Sequence, residues 1–292
     1  MQTKDPVQYA NSFIIGAAKS ATTTIFSILK NHPQVSFCQP KEPCFFAIDQ
    51  EYEKGLEHYS SLFKPTKTSK VILDGSTAYS RCTVFPNAAQ RIYEAVPEAK
   101  LIYLMRHPVD RAFAHYKHRW LVELHRGQPF TETFEEFVKH DKMCIDDSLY
   151  KLQAEAYLKY FAQEQLLFCF TEDLQKTPLD LVTRVCDHLQ IGNITPSELK
   201  TNENSKVRDR IIKNKIRSSS WVKSLRYLTT PELREWLYDN IISKTSIVKK
   251  AEQSFTPVPM KTETRRELIE YYSETVAWVE QITQRKLPHW YK

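Results

Sequence analysis

The stretch Ser12-Phe-Ile-Ile-Gly-Ala-Ala-Lys-Ser-Ala-Thr-Thr-Thr-Ile25 decides the fold. Its apolar run Ser12–Ile15 predicts a buried strand, a loop with Gly16 and Lys19 follows, and the apolar spacing of Thr22–Lys30 predicts a helix. The first amides of a helix point outward without partners, and the helix dipole adds partial positive charge there. The sequence therefore predicts a strand–loop–helix unit whose loop binds an anion such as a phosphate.

Four further apolar runs predict short buried strands. They lie at Val35–Phe37, Lys70–Asp74, Lys100–Met105 and Gln165–Phe170, and helical patterns lie between them at Asn87–Val96, from Pro108 onward, at Leu149–Phe161 and at Leu179–Leu189. Strands that alternate with helices favour a parallel sheet covered by helices on both faces. The sequence therefore predicts an α/β fold with a P-loop-like parallel sheet.

Beyond Gly192 the sequence pattern changes, because the apolar runs that are typical of strands become weak there. Two helical stretches remain, near Pro231–Ile242 and at Glu263–Gln284, and no Gly/Ser-rich linker sets them apart. We expect one domain over residues 1–292, with an α/β nucleotide-binding core at 12–192 and a mainly helical C-terminal portion at 193–292.

Composition narrows the functional classes. The chain has 292 residues, and its 41 basic against 35 acidic residues give a net charge of +6, which suits an anionic ligand but forms no basic tail for nucleic acid. The N-terminal MQTKDPVQYANSF lacks an apolar signal segment, and no apolar run reaches the roughly 20 residues of a membrane helix. The six cysteines show no zinc-like spacing. We predict a cytoplasmic protein with no nucleic-acid or membrane partner and no metal.

The anion loop, Gly16–Thr24, admits a structural alternative in which Thr22 merely caps the helix and Lys19 stays in solvent. It is not a Walker A loop, because the residue directly before Lys19 is not a glycine, and this counts against the rival hypothesis of a nucleotide-dependent kinase. The loop closely resembles GxxKxGTT, the 5′-phosphosulfate loop of sulfotransferases that use PAPS (3′-phosphoadenosine 5′-phosphosulfate). Ala21 stands where that family usually has glycine. The resemblance implies a donor site formed by Gly16, Lys19, Ser20, Ala21, Thr22, Thr23 and Thr24.

Other stretches are similar to the heparan-type and bacterial branch of that family, in the same order along nearly the whole chain. They are Gln39–Phe46 with Tyr52–Tyr59, Lys100–Tyr116, Leu166–Leu174 and the closing Leu287–Trp290. The resemblance implies that Arg106 binds the 3′-phosphate of the donor, a task for which a guanidinium fork is well suited. Ala114 stands where a serine normally shares that phosphate. Arg111, or Arg208 in a late basic segment, could compensate.

Sulfuryl transfer needs a proton acceptor at the acceptor group and positive charge at the leaving phosphate. Lys19 and the loop amides supply the charge, and the resemblance implies that Glu42 is the catalytic base. An ion pair of Glu42 with Lys41 or Lys19 is the structural alternative, and His58 and His115 are alternative bases. His115 also shares a helix with His118 and His125, where a solvated face is favoured over a metal site because no carboxylate or cysteine completes one.

The acceptor is the open question. The missing signal segment favours a small-molecule acceptor, such as a polyketide or guanidinium alkaloid, whereas the heparan-like motifs favour a carbohydrate. The reaction would give PAP and a sulfated hydroxyl or amine. A PAP-binding module without catalysis is a further alternative, suggested by Ala21 and Ala114. The sequence indicates no oligomeric state.

Overall fold

The computed structural model describes residues 9–125, 130–195 and 257–292. The strands in these ranges are β1 Ser12–Gly16, β2 Val35–Phe37, β3 Val71–Asp74, β4 Lys100–Met105 and β5 Leu166–Phe170. The helices are α1 Thr22–Lys30, α2 Asp49–Tyr52, α3 Gly55–Ser61, α4 Ala88–Ala95, α5 Pro108–His125, α6 Phe134–His140, α7 Lys142–Asp146, α8 Tyr150–Leu158, α9 Thr171–Lys176, α10 Pro178–Leu189, α11 Thr262–Tyr271 and α12 Ser273–Thr283. Short 3-10 turns lie at Thr77–Ser80, Gln163–Gln165 and Pro288–Tyr291.

The strands form one parallel sheet in the order β2-β3-β1-β4-β5. The chain leaves β1 toward β2 on one side, whereas β4 leads to β5 on the other side. The crevice between the carboxyl ends of β1 and β4 is therefore the switch point at which open α/β sheets bind ligands. The Ala17 amide donates to the Leu104 carbonyl at 2.7 Å, so the anion loop begins beside the end of β4.

The predicted fold class is confirmed by this parallel sheet and its helices. Strands β2 and β4 and helix α1 have the predicted bounds, and the other strands differ from them by one residue at one end. The helical stretch predicted at Glu263–Gln284 is present as two helices, α11 and α12, which meet at Tyr272, whose buried ring places its hydroxyl 3.0 Å from the Ile145 carbonyl. The predicted helix at Pro231–Ile242 lies outside the described residues.

The described residues fall into two compact units. Those of Met1–Tyr116, Glu135–Asn202 and Lys261–Lys292 form the first, which contains the whole sheet, and those of Lys117–Phe134 and Glu203–Met260 belong to the second. The single domain over 1–292 stays a prediction. In the ranges that the structure covers, no helix combines the length and the apolar character that crossing a bilayer requires.

Buried aromatic rings anchor the segment that follows β2. Phe45 stacks on Tyr59 with ring centroids 4.4 Å apart, and Phe46 meets Phe13 of β1 at 5.9 Å. All four side chains are fully buried. Because each such ring removes a large apolar surface from water, this cluster fixes the course of the chain just after Glu42.

Candidate active site

The anion loop packs against the turn Thr77–Ser80. A Cβ atom placed on Gly16 would stand 2.7 Å from the Cβ of Ser80, far inside van der Waals contact. Only glycine fits at this position, because the end of β1 and the turn could not move apart without disturbing the sheet. The end of β1 and this turn are thus held in direct contact.

The start of α1 offers donors to a ligand. The Thr24 amide donates to the Ala21 carbonyl at 3.0 Å, whereas the Thr22 and Thr23 amides have no acceptor among the described residues. The buried Ser20 hydroxyl likewise has no partner in that part of the chain. Unpaired donors at a helix N-terminus suit a phosphate or sulfate group.

Ala21 caps α1 with a left-handed backbone, at φ 61° and ψ 20°. The alternative in which Thr22 is the cap and Lys19 is solvated is wrong, because Thr22 is the first helical residue and Lys19 is half-buried. A left-handed conformation costs an alanine roughly 1–2 kcal/mol and a glycine almost nothing. This backbone requirement explains why the related loops carry glycine here.

Replacing Ala21 with glycine should therefore stabilise the protein. We expect Ala21→Gly to raise the free energy of unfolding by about 0.5–1 kcal/mol, after the greater freedom of glycine in the unfolded chain is subtracted. Urea denaturation measures the change. Ala114→Gly, inside α5, is the matched control and should lower the free energy of unfolding by about 1 kcal/mol. A destabilised Ala21→Gly protein would contradict the strain at this cap.

Lys19 lies in the middle of the loop with its own backbone at φ 70°. Desolvation by burial lowers the pKa of Lys19 to about 8; the Glu42 carboxylate opposes this shift, and the charges of Arg81 and Lys41 add to it. Charges influence one another in this way only over short distances. The pKa of Lys19 is therefore set by its burial and by the neighbouring charges of Glu42, Arg81 and Lys41.

Glu42 is held by two donors. Lys41 Nζ donates to Glu42 Oε1 at 2.6 Å, and Thr77 Oγ1 donates to Glu42 Oε2 at 3.0 Å. Its side chain is 38% exposed, so an acceptor can reach the carboxylate. The ion pair with Lys41 that the sequence offered as an alternative is present, and together with Thr77 it fixes the direction of the carboxylate.

Asp74, at the end of β3, accepts hydrogen bonds that hold the neighbouring segments together. It is fully buried, and its carboxylate accepts from the hydroxyls of Tyr59 and Tyr79 at 2.7 Å and from the amide and hydroxyl of Ser76 at 3.0 and 2.6 Å. Ser76 Oγ in turn accepts from the Cys44 amide at 3.0 Å. Burial raises the pKa of Asp74 to about 6. Asp74 is saturated by protein groups and supports the loop that carries Glu42, so it is no ligand contact.

Arg111 does not replace the serine that is missing at position 114. It is fully buried, donates to Ser148 Oγ and the Cys144 carbonyl, and lies 3.7 Å from Asp147. Asp147 also accepts from Arg81 Nε at 3.1 Å. Because its hydrogen bonds tie Arg111 to the interior, it serves the packing of α5 and not a surface phosphate.

Arg106 follows β4 directly, at the switch point. Its side chain is partly exposed, and its guanidinium makes no hydrogen bond or ion pair with another described residue. Ala114, on α5, is partly exposed and offers no hydroxyl. Arg208 lies outside the described residues. Arg106 is thus placed to grip an anion, and its role in binding the 3′-phosphate stays a prediction.

His115 and His58, the alternative bases, are both packed against other parts of the fold. His115 Nε2 lies 3.8 Å from Asp141, and its ring lies 6.2 Å from that of Phe137, so it faces α6 and α7. His58 is half-buried on α3. In the described part of the chain no cluster of His, Cys, Asp and Glu could hold a metal ion, and all six cysteines carry free thiols.

Comparison with known proteins bears directly on this site. A family model described as a sulfotransferase domain matches residues 10–276. The chain belongs to the sulfotransferase family.

Heparan sulfate glucosamine 3-O-sulfotransferases 6 and 3A1 of Homo sapiens are 28% and 30% identical, each over 64% of this chain and over 54% and 46% of the relative. The matched region thus spans about half of these curated relatives. A sulfotransferase structure from Alicyclobacillus acidocaldarius covers 98% of this chain and 100% of its own, with a TM-score of 0.67 and 23% identity, and supports the fold.

Membership confirms the resemblance drawn from the anion loop and the later motifs, and sulfotransferases of this family use PAPS as donor. Sequence reasoning missed several groups and contacts that support the site: Thr77 and Ser76, the Arg81–Asp147 pair, Tyr150 and the hydrogen bond from Trp290 to Glu172. Asp74 ends β3 and Glu172 lies two residues beyond β5, and a carboxylate at the end of a strand was the one signal available for them.

Proposed function

We propose that this sulfotransferase moves the sulfuryl group of PAPS to a hydroxyl or amine of a small-molecule natural product, of the polyketide or guanidinium-alkaloid type, and releases PAP. One observation carries the proposal: Glu42 accepts a hydrogen bond from Thr77, in the turn that packs against Gly16 at the start of the anion loop, so the carboxylate and the loop lie at the same end of the sheet. A module that only bound nucleotide would have no need of a carboxylate held at this place by two donors.

The chemistry balances with the side chains of Glu42 and Lys19. The acceptor oxygen or nitrogen attacks the sulfur, its bond to sulfur forms, and the bond between sulfur and the phosphate oxygen breaks. The Glu42 carboxylate takes the acceptor proton, and the leaving phosphate keeps the electron pair of the broken bond. Lys19 and the amides at the start of α1 stabilise the charge that develops on that phosphate.

A carbohydrate acceptor of the heparan type is the second candidate. The curated relatives named above carry heparan sulfate glucosamine in their names, and the exposed Glu42 leaves room for a polymer. Lys41, which contacts Glu42, would suit an anionic sugar chain. The cytoplasmic location predicted from the sequence belongs to the first candidate and remains part of the proposal.

Transfer of radioactive sulfate from labelled PAPS tests both candidates. The acceptor panel holds polyketide alcohols, guanidinium compounds and desulfated heparan oligosaccharides, and Glu42→Gln is the inactive control. Label on a small molecule supports the first proposal, and label on the oligosaccharide alone overturns it in favour of the second. Tight PAP binding without any transfer would favour a binding module, and a thermal shift with ATP and Mg²⁺ but not with PAP would overturn PAPS as the donor.

The pKa of Lys19 predicts a pH dependence of donor binding. The ammonium form binds the anion, and in the free enzyme it loses its proton as the pH rises through about 8. We therefore expect the dissociation constant of PAP to rise above pH 8, by up to about tenfold per pH unit. Isothermal titration between pH 7 and 9.5 measures it. Lys19→Arg keeps its charge throughout this range, so a wild-type profile as flat as that of the variant would contradict the assignment.

A further inference from the structure

The C-terminal residues Arg285–Lys292, called the C-terminal clamp below, reach the carboxyl ends of β4 and β5. Arg285 begins the clamp with a two-pronged ion pair to Asp173 of α9, at 2.5 and 2.6 Å, and lies over the ring of Phe170. At its other end, Arg265 of α11 donates to the Lys292 carbonyl at 3.1 Å. One end of the clamp is therefore attached to the helix that follows β5, and the other end is attached to α11.

Trp290 is the centre of the clamp. It is 1% exposed, and its ring lies 5.7 Å from that of Phe170 and 5.9 Å from that of Tyr150. Its indole Nε1 donates to Glu172 Oε1 at 2.9 Å. The same carboxylate oxygen accepts from the backbone amide of His107 at 3.0 Å. One oxygen thus links the end of the chain to the residue directly after Arg106.

The backbone of Arg106 itself is held by Tyr150. The Tyr150 hydroxyl accepts from the Arg106 amide at 3.2 Å and donates to the Arg106 carbonyl at 2.6 Å. Arg265, which holds Lys292, also donates to Asp110 in the first turn of α5 at 2.8 Å. The segment from Arg106 to Asp110 is therefore fixed at three points, by Tyr150, Glu172 and Arg265, while the guanidinium of Arg106 stays open to a ligand.

We propose that the C-terminal clamp, through the hydrogen bond from Trp290 to Glu172, positions Arg106 for recognition of the 3′-phosphate of the donor. The inference rests on the proposed function, in which Arg106 grips that phosphate. Trp290 and Glu172 act through the backbone of His107 and touch no substrate, so they are positioning residues. A preorganised guanidinium binds more tightly, because less side-chain and backbone freedom is lost when the phosphate arrives.

Paired affinities for PAP and for adenosine 5′-phosphate, measured by isothermal titration, test the clamp. The two ligands differ by the 3′-phosphate, so the ratio of their dissociation constants reports the contribution of that phosphate, for which Arg106 is the proposed partner. Trp290→Phe keeps an aromatic ring and loses the bond to Glu172, and it should weaken PAP binding about tenfold while adenosine 5′-phosphate binds as before. Glu172→Ala should weaken PAP binding in the same way. Glu172→Gln keeps an acceptor oxygen, so it should still bind PAP more tightly than adenosine 5′-phosphate, as the wild type does.

Trp278→Phe is the matched control, since Trp278 on α12 contacts Phe168 and belongs to neither the clamp nor the site. Unchanged binding of adenosine 5′-phosphate shows that each variant is folded. A PAP preference that survives both Trp290→Phe and Glu172→Ala would overturn the clamp and leave the proposed function intact. A wild-type protein without any preference for PAP would overturn the role of Arg106, and the clamp with it.

Discussion

Replacing Glu42 with glutamine should reduce kcat by about 10²–10⁴-fold, because the amide cannot take the proton of the acceptor. The substitution keeps the size of the side chain, and its amide oxygen can still accept from Lys41 or Thr77, which now donate to the carboxylate. The dissociation constant of PAP should therefore change little. Single-turnover transfer from labelled PAPS, with a competent acceptor, measures the chemical step apart from product release.

Glu98→Gln is the matched control. Glu98 is exposed and precedes β4, at the edge of the sheet opposite to the switch point, so kcat should not change. A Glu42→Gln enzyme with the kcat of the wild type would show that another group takes the proton. His58 and His115 would then be tested by the same assay, with glutamine at each position.

Replacing Lys19 with methionine should lower kcat by about 10²–10³-fold, the usual cost of losing one donor that stabilises a developing charge. Methionine fills a similar volume in the half-buried loop, and it removes a charge whose burial is already unfavourable, as the pKa of about 8 shows. The fold should therefore tolerate the change. PAP binding should weaken too, because Lys19 also attracts the bound phosphate in the ground state.

Lys70→Met serves as the control for Lys19→Met, since Lys70 is exposed at the amino end of β3. Melting temperatures for both variants separate loss of activity from loss of structure. If Lys19→Met kept its kcat and lost only PAP affinity, Lys19 would be a binding group whose contribution is the same in the ground state and the transition state.

Local patterns were sufficient for the sheet and for the order of the motifs. The stretch Lys100–Met105 predicts a buried strand because its apolar residues from Leu101 onward are continuous and stand between Lys100 and Arg106. Lys19, Glu42 and Arg106 could be selected as candidates because each belongs to a short stretch typical of the sulfotransferase family. Their roles in catalysis and binding are the proposals that the experiments above test.

The backbone at Ala21 could not be predicted in this way. An alanine before three threonines reads as part of an ordinary helix start, with Thr22 as the cap. In the structure Gly16 packs against Ser80, and the chain then turns through left-handed residues at Lys19 and Ala21 before α1 begins. The residue type at position 21 does not indicate this conformation, and the glycine that related loops carry there was the one signal for it.

By itself, the sequence determined the α/β class and the motifs of the sulfotransferase family, and it supplied the candidates for the donor site, because these follow from local periodicity and short motifs. Only the tertiary structure decided what supports them. Asp147 holds Arg81 across 66 positions, and Trp290 reaches Glu172 across 118. Such hydrogen bonds form only after the strands pair and bring distant segments to the same edge of the sheet, so their partners leave no pattern in the chain.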